Sequence, residues 1–129
     1  MKLIETATYE KLSRSAANLI SAQVILKPDS VLGLATGSSP LGTYRQLIDW
    51  YKKGDVDFDK VISINLDEYV GLSAKDEQSY RRFMNENFFD HINIRQENTF
   101  VPDGCAKSLD AACKAYDAHI EAVGGIDLQ

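Results

Sequence analysis

Cysteine, proline and tryptophan are scarce in this 129-residue chain, which has two, three and one of them. Two cysteines, Cys105 and Cys113, cannot build a disulfide scaffold and lack the spacing of a metal-binding pair. No apolar run is long enough to span a bilayer, and the N-terminus has no signal-peptide core. Positive charge is in deficit, with 14 basic against 19 acidic side chains and a net charge of −5. That balance removes an electrostatic basis for binding nucleic acid or an anionic membrane. No repeat, low-complexity tract or Pro/Gly/Ser linker divides the chain. What is present is 44% hydrophobic residues, enough for one core. Residues 1–129 therefore read as a single domain in a reducing cytoplasm.

Short apolar runs alternate with helical patterns, the signature of α/β layering: an open, mostly parallel, Rossmann-like sheet with helices on both faces. Lys2 to Glu5 reads as a short extended start. Leu12, Ala16, Leu19, Ile20 and Val24 share one helical face between Thr8 and Ile25, and Pro28 closes that helix. Ser30 to Thr36 reads as a buried strand. Ser39 as N-cap and Pro40 at the first helical position open a helix carrying Leu41, Tyr44, Leu47, Ile48 and Tyr51 to Lys53, where Gly54 stops it. Val61 to Leu66 is a second strand, near-continuously apolar. Gln78 to Asp90 is a helix with Tyr80, Phe83, Met84 and Phe88 inward, and Thr99 to Val101 is a short strand. Ser108 to Val123 is the last helix, with Leu109, Ala112, Cys113, Tyr116, Ile120 and Val123 at core spacing before Gly124 and Gly125. Ile126 to Gln129 reads as the first half of another strand. The pattern thus predicts a sheet truncated before its later strands, the N-terminal part of a longer protein. Such a sheet exposes an edge, so self-association, as in a homo-oligomer, is expected.

Two segments carry chemistry. The turn Thr36-Gly37-Ser38-Ser39 joins a buried strand to a helix, where backbone N–H groups lack intrahelical partners beside the positive helix end. Gly37 admits close backbone approach and the hydroxyls add donors, so the turn suits a phosphate; it also reads as a plain βα connection. The second segment is Asn65-Leu66-Asp67-Glu68-Tyr69-Val70-Gly71. Here a strand delivers Asp67 and Glu68 to its carboxyl end, where open α/β sheets bind ligands. A carboxylate partly desolvated there can serve as a base. The alternative is that Asp67 caps a turn and Glu68 is solvated. His91 at a helix end and His119 on an exposed side of the last helix read as structural. Cys113 reads as a small core residue, Cys105 as a turn residue, and Arg81 and Arg82 as a solvated helix face.

Taken in order and spacing, ATGSSPLGTY at 35–44, NLDEYVGL at 65–72 and SYRRFMNENFFDHI at 79–92 resemble the glucosamine-6-phosphate deaminases along essentially the whole chain. The resemblance implies a deaminase/isomerase acting hydrolytically on a phosphorylated amino sugar in amino-sugar catabolism. Glucosamine 6-phosphate and water become fructose 6-phosphate and ammonia without metal or organic cofactor. It implies that Thr36, Gly37, Ser38 and Ser39 hold the substrate phosphate. Asp67 is implied to be the general base moving a proton between C2 and C1. The family's ring-opening histidine and companion acids lie beyond a strand that begins like Ile126-Asp127-Leu128-Gln129, and neither His91 nor His119 stands in their place. The 129 residues alone are therefore expected to be inactive. Two alternatives are a 6-phosphogluconolactonase-like hydrolase, which shares the fold and a phosphate turn, and a non-catalytic phosphosugar-binding module.

Overall fold

The computed structural model describes residues 3–129. It contains α1 (Tyr9–Leu26), β1 (Val31–Leu34), α2 (Leu41–Lys53), β2 (Ile62–Asn65), α3 (Tyr80–Asn87), two 3₁₀ turns (Phe89–His91 and Gln96–Asn98), β3 (Thr99–Phe100) and α4 (Leu109–Ala122). The three strands form a parallel sheet in the order β1-β2-β3. A parallel bridge from Leu128 to Leu32 adds a rung on the free side of β1. The chain therefore steps from β1 to β2 to β3 in one direction and returns across α4 to the opposite side of β1. Consecutive right-handed crossovers require the helices of those two journeys to lie on opposite faces.

The register confirms that division. Leu32, Ser63 and Thr99 are paired across the sheet, as are Gly33, Ile64 and Phe100, and paired residues share a face. Leu32 belongs to the main core with Ala17 and Val24 of α1, Tyr44 and Leu47 of α2, and Met84 of α3. Thr99 meets Arg81 of α3. On the other face, Phe100 packs on His119 of α4, ring centroids 4.0 Å apart. The expected helices on both faces are present.

Local chemistry sets the element ends. Thr8 caps α1, accepting from the Lys11 amide, and Gly54 closes α2 at φ 82°, a conformation that suits glycine. Ala35 and Thr36 already lie outside the ladder, so β1 is shorter than the apolar run suggested. Helix α3 ends at Asn87 rather than continuing to Asp90. Phe88 turns to φ −146°, stacking on Tyr44 while Phe89 is also buried. Adjacent helical positions diverge too far to bury both rings on one narrow face. Leu3 to Glu5 forms no strand, and Lys2 lies outside the described residues.

Two packing expectations are corrected. The buried stripe of α1 is Ser13, Ala17, Ser21 and Val24, whereas Leu12 and Leu19 are about half exposed. The small side chains face α2, where a Cβ on Gly42 would stand 2.2 Å from Ser13 Oγ. Close helix approach selects small residues over large apolar ones at that seam. In α4 no residue is buried, and Cys113 is exposed rather than in the core. The helix covers its sheet face loosely, through Phe100 and the Tyr116 hydroxyl, which donates to the Asn65 carbonyl at 2.7 Å.

Asp127 pins the last rung. Its carboxylate accepts from Lys27 Nζ at 2.7 Å and from the Val31 amide at 2.8 Å. The hydrogen bond from Lys27, then that from Val31, hold its pKa below the ordinary aspartate value. A depressed folded pKa gives stability that is present above the unfolded value and lost as pH falls through the folded one. The unfolding temperature should therefore decline below about pH 4. Asp127→Asn should flatten part of that decline while lowering stability at neutral pH, as read by circular dichroism melts between neutral and strongly acidic pH.

Candidate active site

The carboxyl ends of β1 and β2 feed two adjacent loops. After β1, Gly37 adopts φ 88° with open space where a Cβ would stand. The turn is held from behind by two tyrosines. Tyr44 donates its hydroxyl to the Ala35 carbonyl, and burial raises the pKa of that phenol. The Tyr9 hydroxyl accepts from the Gly42 amide at 2.8 Å and lies 3.0 and 3.1 Å from the Ser38 and Ser39 carbonyls. Ser39 does not cap α2. Pro40, whose ring carries no acceptor, occupies the cap position, and the Gly42 amide donates to the Tyr9 hydroxyl instead of to a serine cap. Among the described residues, the amides of Gly37, Ser38 and Ser39 make no backbone hydrogen bond, and all three residues are exposed. That is a surface on which an anion finds several donors at once.

After β2, Asn65 is 1% exposed, and its side-chain amide donates to the Leu34 carbonyl at 2.7 Å. The two loops therefore leave from ends tied to each other. Capping, which the alternative reading gives to Asp67 with Glu68 solvated, falls instead to Glu68. Its Oε1 accepts from the amides of Tyr69 at 2.8 Å and Tyr80 at 2.9 Å, and its Oε2 from Arg81 at 3.1 Å. Further along the loop, the Gly71 amide donates to the Gly104 carbonyl at 2.8 Å. Gly104 is buried so tightly that a Cβ there would stand 2.1 Å from the Tyr69 carbonyl oxygen.

The two loops meet. Thr36 and Asp67 line one cavity of about 390 Å³ with Gly33, Leu34, Ala35, Leu66, Tyr80 and Gln129. It sits beside β1, where the strand order reverses, the place at which open α/β sheets hold ligands. Gly37, Ser38 and Ser39 stand outside this lining. Asp67 is exposed, so the desolvation expected of it is not supplied by the described residues. Asp67 also borders a second, more apolar cavity of about 320 Å³, walled by Leu66, Val70, Leu109, Cys113 and Tyr116. Burial pushes the Tyr116 phenol up to about 12.

Tyr80 is the site residue that periodicity assigned to the core instead. Its place directly after the Ser79 cap of α3, at the sheet's carboxyl edge, was the available signal. Its pKa is raised, chiefly by a hydrogen bond with Tyr69, whose ring centroid lies 4.7 Å away. Arg81 is not a solvated side chain. It donates to Thr99 Oγ1 at 2.7 Å and to the Thr99 carbonyl at 2.8 Å, and burial lowers its pKa. Arg82 does pair at the surface, with Glu86 at 2.6 Å. His91 is exposed and bonds the Glu86 carbonyl through Nε2, a structural use. His119 lies half-buried against Phe100 rather than on an exposed side, and Cys105 is exposed. Among the described residues no three His, Cys, Asp or Glu side chains are placed to hold a metal ion, and no helix is long and apolar enough to cross a membrane.

Residues 4–129 match the family of glucosamine-6-phosphate isomerases and 6-phosphogluconolactonases. The chain is 67% identical over all 129 residues to glucosamine-6-phosphate deaminase of Lachnoclostridium phytofermentans, covering 55% of that protein. It is 56% identical to the deaminase of Clostridium perfringens, covering 53%. It thus spans about half the length of the curated relatives it matches. Among solved structures, a monomeric glucosamine-6-phosphate deaminase superposes over the whole chain and 54% of its own, with a TM-score of 0.97 and 44% identity. The 6-phosphogluconolactonase of Thermotoga maritima gives 0.72 at 19% identity, over 94% of this chain and 53% of its own, a likeness of fold alone.

Gly104→Ala should force the Tyr69 carbonyl aside and cost about 1–3 kcal/mol. Denaturant unfolding would measure the loss, and amide exchange should rise at Gly71, whose partner is the Gly104 carbonyl.

Proposed function

Because the chain belongs to the family of glucosamine-6-phosphate isomerases and 6-phosphogluconolactonases, we propose that it is the N-terminal part of a glucosamine-6-phosphate deaminase domain. The reaction takes glucosamine 6-phosphate and water to fructose 6-phosphate and ammonia, in the cytoplasm, as a step of amino-sugar catabolism. The observation that carries this reading is the shared cavity of Thr36 and Asp67 at the strand reversal, in a chain 67% identical to a named deaminase.

The substrate phosphate rests on the amides of Gly37, Ser38 and Ser39 and the hydroxyls of Thr36, Ser38 and Ser39, at the rim of the cavity. The carbon skeleton then extends under Asp67, whose carboxylate takes the proton from C2 and returns it at C1. A C–H beside a carbonyl or iminium is a weak acid, so the base must be held at the carbon and shielded from water. The described residues do not supply that shielding: Asp67 is exposed, and among them Tyr80 is the other titratable side chain lining the cavity. On this reading the 129 residues bind the phosphosugar but turn it over slowly, if at all. Self-association belongs to the same reading, since the outer backbone groups of β3 have no strand partner among the described residues.

Titration of the protein with glucosamine 6-phosphate, followed by ammonia release, tests the assignment. Binding is expected in competition with inorganic phosphate, with any turnover lowered about 100-fold or more by Asp67→Asn. Hydrolysis of 6-phosphogluconolactone without ammonia release would replace the assignment with a lactonase, and turnover at rates ordinary for enzymes would refute the inactivity of the 129 residues.

A further inference from the structure

We propose that Glu68 is a positioning residue. Its carboxylate ties the loop that carries Asp67 to the amino end of α3, setting Asp67 and Tyr80 relative to the Thr36 turn.

The amino end of α3 is capped twice. Ser79 Oγ accepts from the Arg82 amide at 3.1 Å, and the Ser79 carbonyl accepts from Phe83 at 3.0 Å. That much is an ordinary N-cap. The Tyr80 and Arg81 amides are taken instead by Glu68, twelve and thirteen residues earlier in the chain. The same carboxylate accepts from Tyr69, the second residue after Asp67. Three amides from two separate segments therefore converge on one half-buried side chain, and the loop between them is closed at its base. A negative charge at a helix amino end is favoured by the aligned peptide dipoles as well as by the hydrogen bonds.

Two consequences follow. First, both carboxylate oxygens of Glu68 are occupied by donors, which leaves Asp67 as the carboxylate free to meet a substrate. Second, the first two amides of α3 are taken by Glu68, so that helix end does not offer them to an anion, whereas the amides of Gly37 to Ser39 make no backbone hydrogen bond. The charge of Glu68 thus directs an anionic group toward the β1 turn and away from α3. The kinetic part of this inference rests on Asp67 being the base. The tether itself stands on the three hydrogen bonds.

The test compares Glu68→Ala and Glu68→Gln with Ser79→Ala, which weakens the same helix end and loses a 3.4 Å bond to the Ala74 carbonyl but removes no hydrogen bond of residues 66–70. Amide exchange and ¹⁵N backbone order parameters are read at residues 66–70 and 79–83, alongside ammonia release. Glu68→Ala is expected to speed exchange at Tyr69, Tyr80 and Arg81 about tenfold or more and to lower the order of Asp67. Ser79→Ala should affect Arg82 and leave Asp67 ordered. Glu68→Gln keeps one carbonyl oxygen, so it should restore protection at Tyr69 and Tyr80 in part and at Arg81 little. Where turnover is measurable, Glu68→Ala should lower kcat about 30-fold with KM within about threefold, and Ser79→Ala should change neither. Equal order of Asp67 in Glu68→Ala and Ser79→Ala would overturn the tether, and so would full protection of Tyr69 and Tyr80 in Glu68→Ala. If the unmodified protein did not bind glucosamine 6-phosphate in competition with inorganic phosphate, the deaminase reading would fail while the exchange and order measurements still decided the role of Glu68.

Discussion

The bond from the Asn65 side chain to the Leu34 carbonyl fastens the last rung of β1 and β2, the point beyond which regular pairing releases the two segments. Parallel strands diverge as they twist, and beyond the last rung the separation of the following loops is set only by what reaches across. Asn65 reaches across from inside the core. Replacing its amide with an apolar group would leave the Leu34 carbonyl without that donor in a buried setting, a cost of about 1–3 kcal/mol. The neighbouring bond from Tyr116 to the Asn65 carbonyl brings α4 to the same point. Strand end, opposite strand end and rear helix are thereby joined at one residue, and the cavity between the loops inherits its width from that junction.

Around this junction the loops are fixed from outside the sheet. Tyr9 of α1 and Tyr44 of α2 hold the carbonyls of the first turn, which leaves its amides facing outward. Glu68 and Gly104 hold the second loop, one by charge-assisted hydrogen bonds and the other by allowing backbone to pass close to backbone. The seam of Ser13, Ala17 and Gly42 brings α1 near enough for Tyr9 to reach the turn. Small residues at the helix seam thus decide whether a phenol behind the turn makes its contact. Fold and site are linked through specific short distances rather than through general compactness.

Much of the architecture was legible in the chain. The strand around residues 62–65 and the stops at Pro28 and Gly54 rest on near-neighbour effects, in which apolar runs, fixed proline geometry and left-handed glycine act within a few residues. The pairing of Thr36 with Asp67 was legible for a related reason, since both follow buried parallel strands and must emerge at the same edge. Where the reading went astray, the deciding partner was distant. Pro40 rather than Ser39 stands at the cap of α2, and the Gly42 amide donates to Tyr9 of α1 instead. Arg81 leaves solvent for Thr99, and Tyr80 leaves the core for the cavity. The stripe expected of α1 was displaced because periodicity reports which residues are apolar and is blind to how closely a neighbouring helix approaches.

By itself, then, the amino-acid sequence determined the order of strands and helices, the edge at which ligand-facing loops emerge, and the residue types available there. These depend on periodicity, turn chemistry and chain direction, which act locally. Only the tertiary structure decided which carboxylate is bound and which is free. Asp67 and Glu68 are adjacent and nearly alike in chemistry. What distinguishes them is the presence of α3 amides beside one and of open space beside the other, an arrangement made by packing between segments far apart in the chain.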